Sequence, residues 1–413
     1  MLKKIKEAIK SQSPNAPTKL KERMDRASHA YFSSPGQPVW MERTYEEFAK
    51  SAYTKNVIAH RAINMIASAA ASIPFKLFRQ MGDDLHPLNV HPLLSLLQHP
   101  NPMQSTKDFM ECLYIYKQLS GNAYILSIGL DSETNPSELY CLRPDRVQVL
   151  AGQNFIPTGY RYHVDSHYID YMVNQTTDKC PLLHIKNFHP LNEHYGLSSI
   201  EAAAYSIDQH NQASAWNQAL LQNGARPSGA LVVKNSEGKP TVLGAVERQN
   251  LRESIESAFS GADNAGRPLL LEGGLEWQEM SLSPKDMDYI ESKNSAAREI
   301  ALALGVPPQL LGIPGDNTYS NLVEARIALW EGTVLPLVKD TIEHFNRWLP
   351  PYFADNLTLS YDTSCVSALA KSVETLWNML ENNNFMTINE KRGKVGLPPI
   401  TYGDSLIAHK KKA

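Results

Sequence analysis

The sequence lacks the hydrophobic segments that carry a chain into or across a membrane. No uninterrupted apolar run among its 413 residues approaches the roughly 18 residues of a membrane span, and the N-terminus has no apolar signal-peptide core. Only four cysteines occur, Cys112, Cys141, Cys180 and Cys365, and no two of them form a CxxC pair. This usage is typical of reduced thiols, so we expect a protein made in the cytosol.

Signatures of catalysis are also missing. The sequence contains neither a GxSxG nucleophile elbow nor a phosphate-binding P-loop. The densest group of potential metal ligands comprises Asp178, Cys180, His184, His189, Glu193 and His194. Its histidines recur every five residues, which fits neither an i, i+4 helical zinc motif nor one face of a strand, and Pro190 interrupts the segment. We therefore expect no metal, no cofactor and no enzymatic activity.

The charge balance argues against a protein that binds nucleic acid tightly through a broad basic surface. There are 40 Lys and Arg against 43 Asp and Glu, a formal net charge of -3. Tight binding of nucleic acid depends on neutralising phosphates, which this balance does not favour. The length exceeds one ordinary domain and predicts about two to four structural units.

The pattern from residue 283 to 349 predicts a helix, a loop and a second helix. Ser283 and Pro284 suit the start of the first helix, and Gly305 suits its end. The segment 305–321 is too rich in Gly and Pro to remain helical. Asn321, with Glu324 three residues later, resembles a capping box that starts the second helix.

Two further features matter here, one inside this segment and one upstream of it. Pro336 lies inside the second helical pattern and predicts a kink near 332–336. Upstream, an Ala-rich helix is predicted over 198–223, capped by Ser198 with Glu201. Its small apolar stripe, Ile200, Ala204, Ile207 and Ala215, suits close packing between copies of the chain, and a plain surface helix is the alternative.

The apolar patterns in the rest of the chain predict mixed α and β structure. One helix is predicted over 56–71 and a second is predicted to be capped by Ser105. They are followed by a largely antiparallel sheet built from segments between residues 123 and 185. Between the two long helices, 226–282 predicts a small α/β module. Its predicted elements are the strands 230–233 and 269–271 and a helix around 246–259.

Several short motifs occur in an order that resembles the portal proteins of long-tailed bacteriophages. They are GNAY (121–124), YGLSSIEAA (195–203), NGARPSG (223–229), GVPPQLLG (305–312), TYSN (318–321), LPL (335–337) and NEKRGKVGLPPI (389–400). The resemblance spans about residues 55 to 400. One departure is Ser199, where many members of that family carry proline.

The resemblance implies an α+β portal fold. The composition of residues 1–40, rich in Lys, Ser and Pro, predicts a mobile N-terminal arm. The resemblance divides the rest into a wing (41–196), stem helices (197–225 and 283–304), a clip (226–282), a tunnel loop (305–321), a long kinked helix returning to the wing (322–364) and a crown with a tail (365–413). Portal subunits form a ring, usually of twelve, at one capsid vertex. Through this ring double-stranded DNA is packaged and ejected.

The resemblance also implies partners and site residues. The expected partners are further copies of the chain, double-stranded DNA, the terminase large subunit, the major capsid protein and a head-tail adaptor, within a virion. The expected DNA-facing tunnel loop is Asp316, Asn317, Thr318, Tyr319, Ser320 and Asn321, and the expected stem cations are Lys285, Lys293 and Arg298. Phage, prophage and gene transfer agent remain open as sources. A head completion or adaptor protein, or a metal-dependent hydrolase using the His184 region, are the alternatives.

Overall fold

The computed structural model describes residues 41–82, 84–129, 135–152, 156–174, 176–222, 229–233, 244–250, 253, 275–279, 289–315, 319–353, 356–383, 385–395, 397 and 399–404. The expected N-terminal arm, most of the expected clip and the C-terminal tail lie outside these ranges. Among the helices in these ranges, none is both long and apolar enough to cross a membrane.

The N-terminal part of the fold is a group of packed helices. Helix α1 (Tyr45–Glu47) continues as a π-helical segment (Phe48–Thr54) and is followed by α2 (Val57–Ala71), α3 (Pro92–Gln98) and α4 (Thr106–Ser120). The predicted Ser105 cap is present, since its hydroxyl accepts from the Asp108 amide in a reciprocal capping box. Helices α2 and α4 pack on each other and form the centre of the main core.

Three antiparallel sheets accompany these helices. The first has the order β11-β1-β2, with β1 (Phe75–Met81), β2 (Asp84–Leu88) and β11 (Leu357–Tyr361). The second has the order β4-β3-β8, with β3 (Asn122–Ile128), β4 (Glu138–Leu142) and β8 (Leu182–Lys186). The third has the order β5-β6-β7, with β5 (Val147–Ala151), β6 (Pro157–Val164) and β7 (His167–Met172). The antiparallel strands predicted between residues 123 and 185 are thereby confirmed.

The Ala-rich helix is divided, in contrast to the single helix predicted over 198–223. A short α5 (Ser199–Ala202) precedes α6 (Ala204–Gln222), and Ala203 between them has ψ near 2°. Ser198 caps α5 through the Ile200 amide. Glu201 was expected to complete a capping box, but its carboxylate lies 3.8 Å from the Arg43 guanidinium.

The helix, loop and helix predicted over 283–349 are present with shifted ends. Helix α7 (Tyr289–Ala303) leads through a 3-10 turn (Pro308–Leu311) to α8 (Tyr319–Leu329), a π-helical segment (Trp330–Val334) and α9 (Leu335–Trp348). Asn321 therefore lies inside α8, and the prediction that it caps the helix is wrong. The predicted interruption near 332–336 coincides with the π-helical segment and the start of α9.

The remaining elements are short. Strands β9 (Gly229–Val233) and β10 (Leu275–Glu279) pair antiparallel, and residues 245–250 are helical. The predicted strand 269–271 lies outside the described residues. After α10 (Pro350–Phe353) and β11, the chain continues into a 3-10 turn (Ser367–Leu369), α11 (Ala370–Glu381) and α12 (Ile388–Lys394).

Candidate functional site

The paired helices α6 and α7, with the loop that follows α7, contain most of the residues expected to act. The two helices pack side by side, and the Ser206 hydroxyl donates a 2.5 Å hydrogen bond to the Glu299 carboxylate. The buried residues of the two helices include the small or aliphatic residues Ala204, Ile207, Ala296 and Ile300. Small side chains allow the helix axes to approach closely, so this pair forms a stiff unit within one subunit.

A buried polar cluster fixes α6 against the N-terminal helices. Asn56 caps α2 by accepting from the Ile58 and Ala59 amides at 3.1 and 3.0 Å. Its amide nitrogen donates to Asn211 at 3.0 Å and lies 3.2 Å from Nδ1 of His210. Asn56 and His210 are 1% and 6% exposed, so these bonds satisfy groups that water does not reach.

His210 is held neutral in this cluster. Burial lowers the pKa of its imidazole, and the positive charge of Lys293 on α7 lowers it further. A neutral ring can accept from Asn56 at Nδ1, which places its proton on Nε2. No local sequence pattern predicts this cluster, because Asn56 and His210 are 154 positions apart.

The C-terminus of α7 ends in a Schellman motif. The Gly305 and Val306 amides donate to the carbonyl oxygens of Leu302 and Ala301 at 3.0 and 2.9 Å. Gly305 has φ of +68°, a conformation that favours glycine, so the predicted helix stop is confirmed. Its carbonyl oxygen accepts a 2.6 Å hydrogen bond from the Thr333 hydroxyl in the π-helical segment.

Arg298 fastens the loop after α7 to the helix itself. Its guanidinium donates a 2.5 Å hydrogen bond to the carbonyl oxygen of Pro314. Beside it, the buried side chain of Ile313 packs on Ala297 and Ala301. The loop therefore leaves α7 along a defined path until residue 315.

The expected tunnel-loop residues fall partly outside the described part of the chain. Asp316, Asn317 and Thr318 are not among the described residues. Tyr319, Ser320 and Asn321 form the first turn of α8, and the Asn321 side chain is exposed. Of the expected stem cations, Lys285 is not described, Lys293 is half-buried near His210 and Arg298 is exposed.

The stripe expected to join neighbouring copies is mostly used inside one subunit. Ile200, Ala204 and Ile207 are 0%, 4% and 0% exposed, packed within the chain's own interior. In this conformation they have no free surface for another copy, which corrects that part of the expectation. Ala215, by contrast, is exposed. The interface expectation therefore stays with Ala215 alone.

The histidine group begins with His184 inside β8, where the ring is packed and hydrogen-bonded within the sheet. The His184 ring stacks on Tyr124 with 4.3 Å between ring centres, and its Nε2 lies 3.0 Å from Oδ1 of Asn122. Burial lowers the pKa of His184 to about 3, which keeps the ring neutral. Within the described ranges, no three His, Cys, Asp or Glu side chains are grouped so that they could hold a metal ion.

A family model of phage portal proteins matches residues 58–396, which is most of the chain. The chain belongs to the phage portal family. This protein is thus a portal subunit, a structural component of phage-like particles, with the α+β architecture described above.

Individual relatives are similar to this chain over most of their length. The chain is 25% identical over 359 residues to the portal protein of Enterobacteria phage HK97, covering 83% of this chain and 79% of that protein. Two solved structures of gene transfer agent (GTA) particles contain similar chains. A chain in the neck of an empty GTA particle, computed with C6 symmetry, is 41% identical with a TM-score of 0.68, covering 90% of this chain and 98% of that chain. A chain in the native neck, computed with C12 symmetry, is 40% identical with a TM-score of 0.65, covering 88% and 96%.

Proposed function

We propose that this portal subunit forms a closed ring of twelve at one capsid vertex, through which double-stranded DNA is packaged and ejected. The observation that carries the proposal is the 40% identity, over 96% of its length, to a chain from a native GTA neck computed with C12 symmetry. A ring of identical chains needs two different contact faces on each subunit, since its interfaces are heterologous.

The loop between α7 and α8 is the part of the subunit that meets DNA in this proposal. Arg298 and Ile313 hold the loop up to residue 315, and residues 319–321 at its end belong to the first turn of α8. The segment 305–321 carries one charge, Asp316, among small polar residues. Hydroxyl and amide groups contact phosphate oxygens without reading sequence.

The surrounding charge keeps these contacts weak. Residues 283–349 contain nine acidic and six basic residues, a net charge of -3 for each subunit. The basic Arg298 is engaged with the loop carbonyl of Pro314. An acidic wall repels phosphate over roughly one Debye length, about 8–10 Å, so the duplex can slide without being gripped.

Assembly is tested first. Purified subunits are measured by native mass spectrometry and negative-stain microscopy, where twelvefold rings with a central hole are expected. A monomer or dimer at every concentration, in the presence of capsid protein as well, would contradict the proposal. It would favour the alternative of a head completion or adaptor protein.

The loop is tested in a packaging assay that reports DNA length per head. Replacing Asn317, Thr318, Tyr319 and Ser320 with glycines should preserve rings and heads but shorten or release the packaged DNA. Lysines at Asn317 and Ser320 should slow translocation, because they add phosphate-binding charge to the channel. Full-length packaging at the normal rate by both variants would rule out the loop as the DNA contact.

The module 226–282 is assigned to docking of the terminase large subunit and, after packaging, of a head-tail adaptor. Deleting residues 234–240 should leave ring assembly intact and abolish binding of the terminase. Binding is measured with isolated rings, so that loss of docking is separated from loss of assembly. Normal packaging by the deletion variant would refute this assignment.

A further inference from the structure

The loop between β8 and α5 exposes two large apolar side chains. Phe188 and Leu191 are 85% and 91% exposed, close to the exposure of an unfolded chain. We call the loop 187–196 the peg. Because Phe188 and Leu191 lie on one short loop, they form a candidate apolar contact for another molecule.

The peg is held in place by hydrogen bonds at both ends. The Asn187 amide donates to the Gly121 carbonyl at 2.8 Å, and the Gly196 amide donates to Oδ1 of Asn122 at 2.7 Å. In its middle, the Asn192 side chain accepts from the His194 and Tyr195 amides at 2.9 and 3.1 Å. A loop fixed in this way loses little conformational freedom when it binds.

Elsewhere on the same chain lies an open cavity of about 370 Å³ with largely apolar walls. We call it the socket. It lies between the end of α2, the start of β1, α3 and the start of α4, and its lining includes Ala71, Ile73, Phe75, Leu94 and Leu97. Its volume and apolar lining suit an aromatic or aliphatic side chain from outside.

The peg and the socket lie at opposite ends of helix α4. Peg residues bond to Gly121 and Asn122, immediately after the helix, while the socket includes its first residues, Thr106 and Lys107. Fifteen residues of α-helix separate the two ends by about 22 Å. A subunit therefore cannot fill its own socket, but two subunits placed head to tail can pair one peg with one socket.

An exposed carboxylate lies on the peg and an exposed ammonium lies at the socket. Glu193 of the peg is exposed, and its main-chain carbonyl oxygen accepts a hydrogen bond from the Lys186 ammonium. Lys107 lies at the socket and is half-exposed, with its ammonium 3.6 Å from Glu111. Opposite charges at the rim of a contact favour one orientation of the partners.

We infer that in the assembled protein the peg of one subunit, led by Phe188, occupies the socket of the next copy, with Glu193 facing Lys107. This inference deepens the proposed ring and rests on it. The occupant is a second copy because the peg, the socket and an exposed charge of opposite sign beside each are present on every chain.

The contact is tested by cross-linking full-length protein. Phe188→Cys and Gln98→Cys, which lies in the socket lining, are combined in a Cys365→Ser background, since Cys365 is exposed. Oxidation, or a short bis-maleimide, should give a ladder of covalent oligomers extending to the full ring. Each variant that carries only one of the two introduced cysteines is a control and should give no ladder. A matched pair, Phe188→Cys with Tyr168→Cys, should also give none.

A charge exchange provides an independent measurement. Glu193→Lys and Lys107→Glu should each raise the concentration at half-assembly roughly tenfold, and the double variant should recover most of the loss. Phe188→Ser should impair assembly, whereas Val90→Ser, at a site 90% exposed, should not.

The outcomes separate this inference from the proposed function. Wild-type protein that forms no rings would contradict the ring itself. The peg-and-socket contact is wrong, and the ring still stands, if three results coincide. These are normal ring formation, no ladder from the cysteine pair, and no change in assembly when Glu193 and Lys107 are substituted. If Phe188→Ser impairs assembly but no ladder forms, another surface covers the peg and the inference is wrong.

Discussion

The Thr333 hydroxyl donates a 2.6 Å hydrogen bond to the carbonyl oxygen of Gly305. This bond joins the end of α7 to the π-helical segment between α8 and α9. The helix before the loop and the helical segment after it are therefore in direct contact. A β-carbon on Gly305 would lie only 2.6 Å from that hydroxyl oxygen. The position of the loop therefore depends on a residue with no side chain.

Gly305→Ala is expected to destabilise the subunit by about 2–3 kcal/mol. The left-handed backbone accounts for part of this cost and the clash with Thr333 for the rest. Chemical denaturation of the subunit gives the free energy of unfolding. In the Thr333→Ala background the cost should fall to about 1 kcal/mol, because only the backbone strain remains.

Gly312 provides the matched control for that prediction. Its φ is +72°, similar to that of Gly305, but a β-carbon there would meet nothing within 4 Å. Gly312→Ala should lower the free energy of unfolding by about 1 kcal/mol, because only the left-handed backbone strains the new side chain. Equal losses for the two variants would show that the contact with Thr333 contributes nothing.

The ion pair between Lys117 on α4 and Asp340 on α9 should respond asymmetrically to mutation. The Lys117 side chain is 6% exposed and its ammonium lies 2.5 Å from the Asp340 carboxylate, whose side chain is 46% exposed. Asp340→Asn leaves a buried cation without its partner and should cost about 2–3 kcal/mol. Lys117→Met leaves a carboxylate that water can reach and should cost less. The opposite order of stabilities would contradict this explanation.

His184 should make the subunit less stable in acid. Its pKa is lowered to about 3 in the folded state, so the unfolded chain binds more protons between about pH 6.5 and pH 3. Stability therefore falls as the pH drops below 6.5, by about 2 kcal/mol from this residue between pH 7 and pH 5. His184→Gln should remove that share of the decrease. His91, His210 and His344, whose pKa values are also lowered by burial, remain in the variant and contribute to the residual slope.

Tryptophan substitutions on α6 should separate subunit folding from ring assembly. Ala204 is buried within the chain, so Ala204→Trp should overpack the interior and cost more than about 3 kcal/mol. Ala215 is exposed, so Ala215→Trp should change the free energy of unfolding by less than about 0.5 kcal/mol. If α6 contacts a neighbouring copy near Ala215, that variant should still block ring closure. Full rings from Ala215→Trp would remove this face from the interface.

Local signals in the sequence determined where most elements begin and end. Ser105 with Asp108 and the glycine at 305 act through bonds to residues a few positions away, and the structure shows both signals in use. Alternation of apolar residues determined the strands, because each strand must bury one face. The ordered motifs between residues 55 and 400 likewise sufficed to identify the portal family.

Only the tertiary structure decided which apolar faces are already buried within the chain itself. A stripe such as Ile200, Ala204 and Ile207 looks the same whether it is buried by its own chain or by a neighbour, since periodicity reports a buried face and not the molecule that covers it. The pairing of β1 with β11 and the bonds that link Asn56 to His210 and Thr333 to Gly305 join distant positions. Their existence depends on the packing of the whole core, which no local pattern encodes.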